Sequence, residues 1–220
     1  MTMGILEPVK PTILAARIIS NVDRAFAEKL NLSDQHRSLA LITCDIDDAL
    51  YVSLDEATKF AEVDVVYARS FYAGSAHASG PLSGEIIGIL AGPTPAEVRS
   101  GMDACIAHCE TETMFYTADE AGELAFFPHL VSSTGSYLSK EAGIAQGESL
   151  AYLIAPPLEA TYALDAALKA ASVEMKVFFE PPSETNYAGG LLTGGLSACR
   201  AACGAFQDAV LDVAASPRKY

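Results

Sequence analysis

The stretch DEATKFAEVDVVY at residues 55–67 is followed, 110 positions later, by the similar stretch DAALKAASVEMKVF at residues 165–178. Asp, Ala, Lys, Ala and Val occupy corresponding positions in the two stretches, and an acidic residue follows the valine in both. SLAL at 38–41 and SLAY at 149–152 keep the same order at nearly the same offset. Chance similarity between alanine-rich helices does not explain this shared order, so we predict two similar domains, at about 1–110 and 111–220.

Each half shows the same succession of apolar segments. An apolar strand leads into a helix, a β-branched strand follows, and a further strand precedes a long second helix. This order predicts helices packed on an antiparallel or mixed sheet, which is an α+β sandwich. The predicted strands are Leu39–Thr43, Val63–Tyr67 and Glu85–Ala91 in the first half and Leu150–Ala155, Val173–Phe179 and Gly190–Thr193 in the second.

Capping signals and apolar stripes locate the helices. Ser53 with Glu56 three residues later predicts one helix start, and Thr94 with Pro95 and Glu97 predicts another. Residues at helical spacing then form an apolar stripe in each long helix. The stripes are Val98, Met102, Cys105, Ile106 and Cys109 in the first half and Cys199, Cys203, Phe206 and Val210 in the second.

The composition narrows the class of protein. With 28 acidic and 14 basic residues the net charge is -14, which argues against a nucleic-acid partner. The longest strongly apolar stretch, EIIGILAG, is too short to span a membrane, and MTMGILEPVKPT lacks a signal-peptide pattern. Five cysteines, an odd number, favour reduced thiols in the cytoplasm. The 50% hydrophobic content also favours apolar surface buried between subunits.

The segment LITCDIDDALY at 41–51 places Asp45, Asp47 and Asp48 at the end of a predicted buried strand. Repulsion and desolvation both oppose such a cluster, so a function has to offset its cost. Solvated turn carboxylates are one alternative. A haloacid-dehalogenase-like phosphatase is another, with Asp45 as nucleophile and Asp47 as acid/base, although a two-aspartate match is a weak motif. No phosphate-binding glycine loop is present in the sequence.

Cysteines and histidines offer a second candidate site. Cys105, His108 and Cys109 lie one helical turn apart and could bind zinc, and Cys199 and Cys203 are also four residues apart. Because these cysteines belong to the apolar stripes, core packing is the favoured interpretation. Two long loops, ARSFYAGSAHASGPLSG at 68–84 and EPPSETNYAGG at 180–190, are of the length and composition typical of functional loops.

Long segments of the chain resemble one known family. They are DIDDALY, VDVVYARSFYAG, GEIIGILAGPTPAEVRSG, STGSYLS, YLIAPPLEATYALDAALKAA and PPSETNYAG. They are similar to the tandem-domain shell proteins of ethanolamine-utilisation bacterial microcompartments. The resemblance implies two circularly permuted BMC domains of ferredoxin-like type, in a flat trimer with a pseudohexameric outline that tiles a protein shell in the cytoplasm with other shell proteins. The repeat described above is what a trimer mimicking a hexamer requires.

The resemblance also implies binding sites. In the family, small acidic pores within each subunit bind ethanolamine, and a central pore is seen open and closed. Carried over to this chain, the ethanolamine contacts are Asp47, Asp48, Glu85, Phe115, Thr185 and Asn186. The gate is expected in the 68–84 loop, at Arg69, Ser70, Phe71, Tyr72, Ala73, Gly74, Ser75, Ala76 and His77. A cobalamin-type ligand is associated with the family, although no residue of this sequence indicates where it would bind.

These implications explain the acidic turn. Ethanolamine carries an ammonium group that, like that of lysine, stays protonated near neutral pH. Carboxylates around a narrow passage attract such a cation and replace part of its hydration shell. We therefore expect a structural shell protein with small-molecule passage, without catalysis and without a cofactor. An amine-sensing binding module remains the main alternative, and the Mg²⁺-dependent phosphatase is a weaker one.

Overall fold

The structure, a computed structural model, describes residues 4–71, 81–183 and 185–219. These residues form two compact units. The N-terminal unit contains residues 11–113 together with 135–138. The C-terminal unit contains the described residues of 1–10, 114–134 and 139–220. The domain ranges 1–110 and 111–220 stay a prediction, and the compact units place residues 4–10 with the C-terminal half of the chain.

Ten strands and six α-helices occur among the described residues. In chain order they are β1 (Pro8–Val9), β2 (Ile13–Ile19), α1 (Arg24–Lys29), β3 (Ser38–Cys44), α2 (Asp47–Phe60), β4 (Asp64–Ser70), β5 (Ile86–Gly92), α3 (Pro95–Thr111), β6 (Phe115–Thr117), β7 (Ala125–Val131), α4 (Ser136–Ala142), β8 (Ser149–Ala155), α5 (Pro157–Ala170), β9 (Val173–Phe179), β10 (Ala188–Gly194) and α6 (Leu196–Ala215). A short 3₁₀ turn at Pro81–Ser83 precedes β5.

The N-terminal unit is built on a four-stranded sheet in the order β2-β3-β5-β4, and its strand pairs are antiparallel. Helices α2 and α3 cover one face of this sheet, because apolar residues of the strands and both helices form one buried cluster. The fully buried Leu50, Leu54 and Leu90 lie in that cluster. A smaller cluster around Leu39 and Ile89 covers the other face. Burial of these side chains on both faces stabilises the unit.

The C-terminal unit has a six-stranded sheet in the order β1-β6-β7-β8-β10-β9, again with antiparallel pairs. Helices α5 and α6 pack on it through a core that includes Phe126, Leu164 and Phe206. Every residue of β8 is buried, which accounts for its continuous apolar sequence.

The two units repeat one topology. The order β7-β8-β10-β9 in the C-terminal unit matches β2-β3-β5-β4 in the N-terminal unit. Helices α2 and α5 each have 14 residues and begin 110 positions apart, at Asp47 and Pro157. The first turn of α2 carries the adjacent pair Asp47 and Asp48, whereas that of α5 carries the single acidic residue Glu159. The predicted antiparallel α+β architecture is confirmed.

One predicted helix start is wrong. Helix α2 begins at Asp47, not at Ser53. The Ser53 hydroxyl lies inside the helix and donates to the Ala49 carbonyl at 2.8 Å, which is how a buried serine is satisfied within a helix. Acidic residues in the first turn suit the positive end of the helix dipole, so the helix extends back to the aspartates.

The other start is confirmed. Helix α3 begins at Pro95 after Thr94, whose hydroxyl oxygen accepts the Glu97 N–H at 3.2 Å. The Glu97 carboxylate accepts the N–H of Glu62 at 2.8 Å. That side chain therefore fastens α3 to the residues that precede β4.

The predicted strands are present with slightly different ends, and both apolar stripes are buried except for Ile106, which is partly buried. Strands β2 and β7, each at one side of the four-strand repeat, were missed by the sequence analysis. Among the described residues, no helix has the length and apolar character needed to cross a membrane.

Candidate functional site

The acidic turn joins β3 to α2. Ile46 precedes the helix and supplies no side-chain cap, so the aspartates of the first turn are the nearest acceptors. Asp47 Oδ1 accepts the Asp48 N–H at 2.9 Å. Asp47 and Asp48 are only 8% and 7% exposed, respectively. Two adjacent carboxylates are thus largely removed from water, which is costly unless a positive partner is available.

Asp45 has a separate structural role. Its Oδ1 accepts the Thr12 N–H at 2.6 Å, and its own N–H donates to the Thr12 carbonyl at 3.2 Å. These two hydrogen bonds hold the end of β3 against the residue that precedes β2. The interactions of Asp45 are therefore those of a structural turn residue.

Glu85 is held beside the turn by its backbone. Its N–H donates to the Cys44 carbonyl at 2.8 Å, and its carbonyl accepts the Phe71 N–H at 2.7 Å. The preceding Gly84 has φ of 64°, a conformation that side chains disfavour. Burial raises the pKa of the Glu85 carboxyl, and the negative charges of Asp47 and Asp45 raise it further. The charges of Asp45 and Asp47 therefore act on the Glu85 carboxyl within the N-terminal unit.

Tyr51 is a neighbour of the acids that the sequence analysis missed. Its hydroxyl lies 2.7 Å from Ser70 Oγ and accepts the Ser70 N–H at 2.9 Å. Burial raises the pKa of the Tyr51 phenol, and the charges of Asp47 and Asp48 add to the effect. The signal in the sequence was its helical spacing, since Tyr51 follows the aspartates by one turn. Tyr51 thus links the acidic helix to the end of β4.

We expect Glu85→Gln to stabilise the unliganded protein at neutral pH but not at acid pH. The folded-state pKa of Glu85 is raised, so its stabilising contribution is present below the ordinary carboxyl pKa of about 4.3 and is lost as pH rises through the folded value. Glutamine does not ionise, so the variant does not lose this stability as the pH rises. Urea unfolding followed by circular dichroism between about pH 4 and about pH 7 measures it.

The control for this prediction is Asp103→Asn, which removes an exposed carboxylate from the middle of α3 in the same unit. We expect that variant to follow the pH dependence of the parent. An equal gain in stability for both variants would mean that net charge, and not the environment of Glu85, is responsible.

The remaining predicted ethanolamine contacts lie in the C-terminal unit. Phe115, in β6, is 6% exposed, and its ring stacks on Phe127 at a centroid distance of 5.0 Å. Its other ring contact is the edge of Tyr187, at 5.9 Å. Tyr187 follows Asn186, which has φ of 65° and donates its N–H to Ser183 at 3.1 Å. Phe115 therefore contacts Tyr187, the residue that follows Asn186, and Asn186 is one of the predicted polar contacts.

The six predicted contacts fall into two sets. Asp47, Asp48 and Glu85 lie in the N-terminal unit, where Asp47 is adjacent to Asp48 and its charge acts on Glu85. Phe115 lies near the turn that contains the half-buried Thr185 and the exposed Asn186 in the C-terminal unit. A joint site formed by all six residues stays a prediction.

The predicted gate loop is only partly described. Arg69 and Ser70 belong to β4, so the loop begins later than the sequence suggested, and Ser70 is held by Tyr51. Phe71 follows the strand and donates to the Glu85 carbonyl. Tyr72, Ala73, Gly74, Ser75, Ala76 and His77 lie outside the described residues.

The candidate zinc ligands are divided between the two units. Cys105 and Cys109 lie in the apolar core of the N-terminal unit, whereas His108 Nδ1 lies 3.1 Å from Ser53 Oγ. Burial lowers the pKa of the His108 imidazole. Cys199 and Cys203 lie in the other core. Within the part of the chain that the structure describes, no three His, Cys, Asp or Glu side chains are grouped to hold a metal ion.

Comparison with known proteins supplies the context for this geometry. The BMC domain family matches residues 38–119. The bacterial microcompartment shell protein EutL of Clostridium perfringens (strain 13 / Type A) is 60% identical over 209 residues, which cover 95% of this chain and 96% of that protein. The EutL protein of Escherichia coli (strain K12) is 53% identical, with 98% of each chain covered.

A solved structure agrees with these relatives. The crystal structure of ethanolamine utilization protein EutL from Leptotrichia buccalis C-1013-b has a TM-score of 0.96 and 56% sequence identity. The match covers 99% of this chain and 100% of that one. The predicted fold class, tandem BMC domains in a mixed α/β arrangement, is confirmed.

Proposed function

Because this chain belongs to the EutL family of bacterial microcompartment shell proteins, whose role is structural and not enzymatic, we propose that it forms part of the shell of an ethanolamine-utilisation microcompartment in the cytoplasm. In this proposal it assembles as a flat homotrimer with a pseudohexameric outline and tiles with other shell proteins. The repeat of one topology in two units supports a trimer with six similar lobes. The phosphatase alternative is not retained, since the family is non-enzymatic.

We further propose that ethanolamine binds at Asp47, Asp48 and Glu85, with Phe115, Thr185 and Asn186 completing the site. One observation carries this proposal: two adjacent aspartates at the start of α2 are largely buried, and burial together with the charges of Asp47 and Asp45 raises the pKa of Glu85. A group of carboxylates of this kind favours a cation. The other three residues offer an apolar wall and hydrogen-bonding groups for the hydroxyl end. Nothing among the described residues indicates a site for a cobalamin-type ligand.

We place the gate of the central pore in the loop that follows β4, because Phe71 at the start of that loop donates its N–H to the Glu85 carbonyl. The bond supports a mechanical link between the acidic group and the loop.

We expect Asp48→Asn to weaken ethanolamine binding by about tenfold, since a partly desolvated ammonium loses one charged partner. Isothermal titration calorimetry on the folded, full-length protein measures the change. The matched control is Asp103→Asn, which removes the same charge from an exposed position of the same unit. Ethanol, which lacks the ammonium, should not bind to either variant or to the parent.

Two outcomes would contradict the proposal in different ways. Equal ethanolamine affinity in Asp48→Asn and the parent would remove the amine site but leave the shell assignment intact. Electron microscopy of the purified protein tests assembly, because a shell protein should form flat two-dimensional arrays. Amine binding without arrays would favour the sensing-module alternative.

A further inference from the structure

Two thiols meet beneath the acidic turn. Cys44 is the last residue of β3 and Cys109 lies near the end of α3, and their Sγ atoms are 4.0 Å apart. Both residues are free cysteines and both are fully buried. Sequence analysis assigned Cys109 to core packing, and nothing in the proposed function requires a pair of thiols at this position.

The two thiols differ in character. The contact between the two sulfurs, in which either thiol can be the donor, lowers the pKa of the Cys109 thiol; Thr113 and Ser53 lower it further, and burial opposes them. The same hydrogen bond, together with burial, raises the pKa of Cys44. The Cys44 S–H also lies within donor range of Asp45 Oδ1, at 3.7 Å, and a neighbouring carboxylate disfavours loss of that proton, so we assign Cys109 as the nucleophile.

We propose that Cys44 and Cys109 form a site of reversible oxidation by hydroperoxides. The Cys109 thiolate attacks one peroxide oxygen, which breaks the O–O bond and gives a sulfenic acid and hydroxide. The Cys44 sulfur then attacks the Cys109 sulfur, forming the S–S bond and expelling the sulfenic oxygen as water. Overall, two thiols and one hydrogen peroxide give one disulfide and two waters, so both cysteines are oxidised and the peroxide is reduced.

The distance and the positions of the two residues favour closure. The sulfurs must approach from 4.0 Å to the disulfide length of about 2.05 Å. Because Cys44 ends a strand and Cys109 lies in the last turn of a helix, the movement falls at element ends, which open more easily than element centres. Hydrogen peroxide is a small oxidant that can enter through such local opening.

Closure would also act on the acidic turn. The Cys44 carbonyl accepts the Glu85 N–H at 2.8 Å, and Cys44 Sγ lies 3.7 Å from Asp45 Oδ1. The disulfide therefore fixes the strand end that positions Glu85. The proposal does not depend on ethanolamine binding, and each can fail without the other.

The remaining cysteines are suited to serve as internal controls. Cys199 Sγ lies within hydrogen-bonding range of three backbone carbonyls, and burial raises its pKa. Burial raises the pKa of Cys203 to about 12. Among the described residues, neither thiol has another cysteine sulfur recorded within hydrogen-bonding range as Cys109 has, although both are also buried. A difference in their oxidation therefore reports chemistry and not exposure alone.

The test is peroxide treatment of the reduced, folded protein, followed by denaturation, alkylation of the remaining thiols and peptide mass spectrometry. We expect Cys44 and Cys109 to lose reactivity together, about tenfold faster than Cys199 and Cys203. Tryptic peptides 38–59 and 100–140 should then appear as a species two hydrogen atoms lighter than their sum, with the linkage assigned to Cys109 by fragmentation. Dithiothreitol should restore both peptides.

Single variants test the two roles. In Cys44→Ser the sulfenic acid at Cys109 has no resolving thiol, so dimedone should label it after peroxide treatment. In Cys109→Ser we expect no dimedone label at Cys44. The proposal is overturned if Cys44 and Cys109 of the parent are oxidised no faster than Cys199 and Cys203, if the link forms only between separate chains, or if the labelling of the two variants is reversed.

Discussion

Replacing Asp55 with alanine is expected to lower the free energy of unfolding by about 4 kcal/mol, because two buried N–H groups lose their acceptor. Asp55 is 1% exposed, and its carboxylate oxygens accept the N–H groups of Gly135 at 2.6 Å and Leu138 at 2.7 Å. Thr58 adds a third bond from the Ser136 N–H at 3.0 Å. These bonds satisfy the free donors at the start of α4.

The repeat supplies a control for this variant. Asp165 occupies the corresponding position of the second copy, but its side chain is 62% exposed and pairs with Lys169 four residues later. We expect Asp165→Ala to cost about 0.5 kcal/mol or less, as is usual for exposed pairs within a helix. Urea unfolding followed by circular dichroism compares the two variants, and the method suits a chain without tryptophan.

Asp55→Asn separates shape from charge. The amide keeps one acceptor but turns an NH₂ group toward the second N–H, so we expect a loss of about 2 kcal/mol, between the alanine variant and the parent. Equal stability of Asp55→Ala and Asp165→Ala would show that the buried bonds to residues 135–138 do not stabilise the unit.

The contrast between Asp55 and Asp165 shows how far sequence reasoning reaches. Local patterns predicted the helix that carries each residue and the strand that follows, because apolar spacing is a property of neighbouring residues. They could not separate a buried acceptor from an exposed ion pair. The difference arises from Gly135 and Leu138, which lie about 80 positions away and have no counterpart in the local pattern.

The same limit applies to the acidic site. The cost of clustered carboxylates marked Asp47 and Asp48 as candidates, but only family resemblance added Glu85, since spacing gives no reason to place it beside them. Tyr51 was missed because its partner, Ser70, lies 19 positions away in another element, β4. The false helix start at Ser53 arose because a capping pattern is satisfied equally well by a serine that bonds back into the helix.

Replacing Gly84 with alanine is expected to cost about 3 kcal/mol in the free energy of unfolding, from two causes. A φ of 64° disfavours any residue with a Cβ, which accounts for about 1 kcal/mol. The new Cβ would also lie 2.2 Å from the Cys44 carbonyl oxygen, and this overlap accounts for about 2 kcal/mol more. Because the obstacle is backbone, the end of β3 has to move.

Gly143→Ala isolates the first cause. Gly143 has φ of 62°, and an added Cβ would meet nothing within 4 Å, so we expect a cost of about 1 kcal/mol. Urea midpoints of the two variants measure the difference, each against the parent protein. Equal costs would show that the β3 end yields freely to the extra methyl group.

The functional consequence of Gly84→Ala follows from the same contact. The Cys44 carbonyl that the methyl group would displace is the acceptor for the Glu85 N–H, so the shift that relieves the overlap also displaces Glu85 from its present position. We therefore expect the variant to lose ethanolamine affinity at temperatures where circular dichroism shows it folded. Gly143→Ala should keep that affinity. Full affinity in folded Gly84→Ala would mean that Glu85 takes no part in binding.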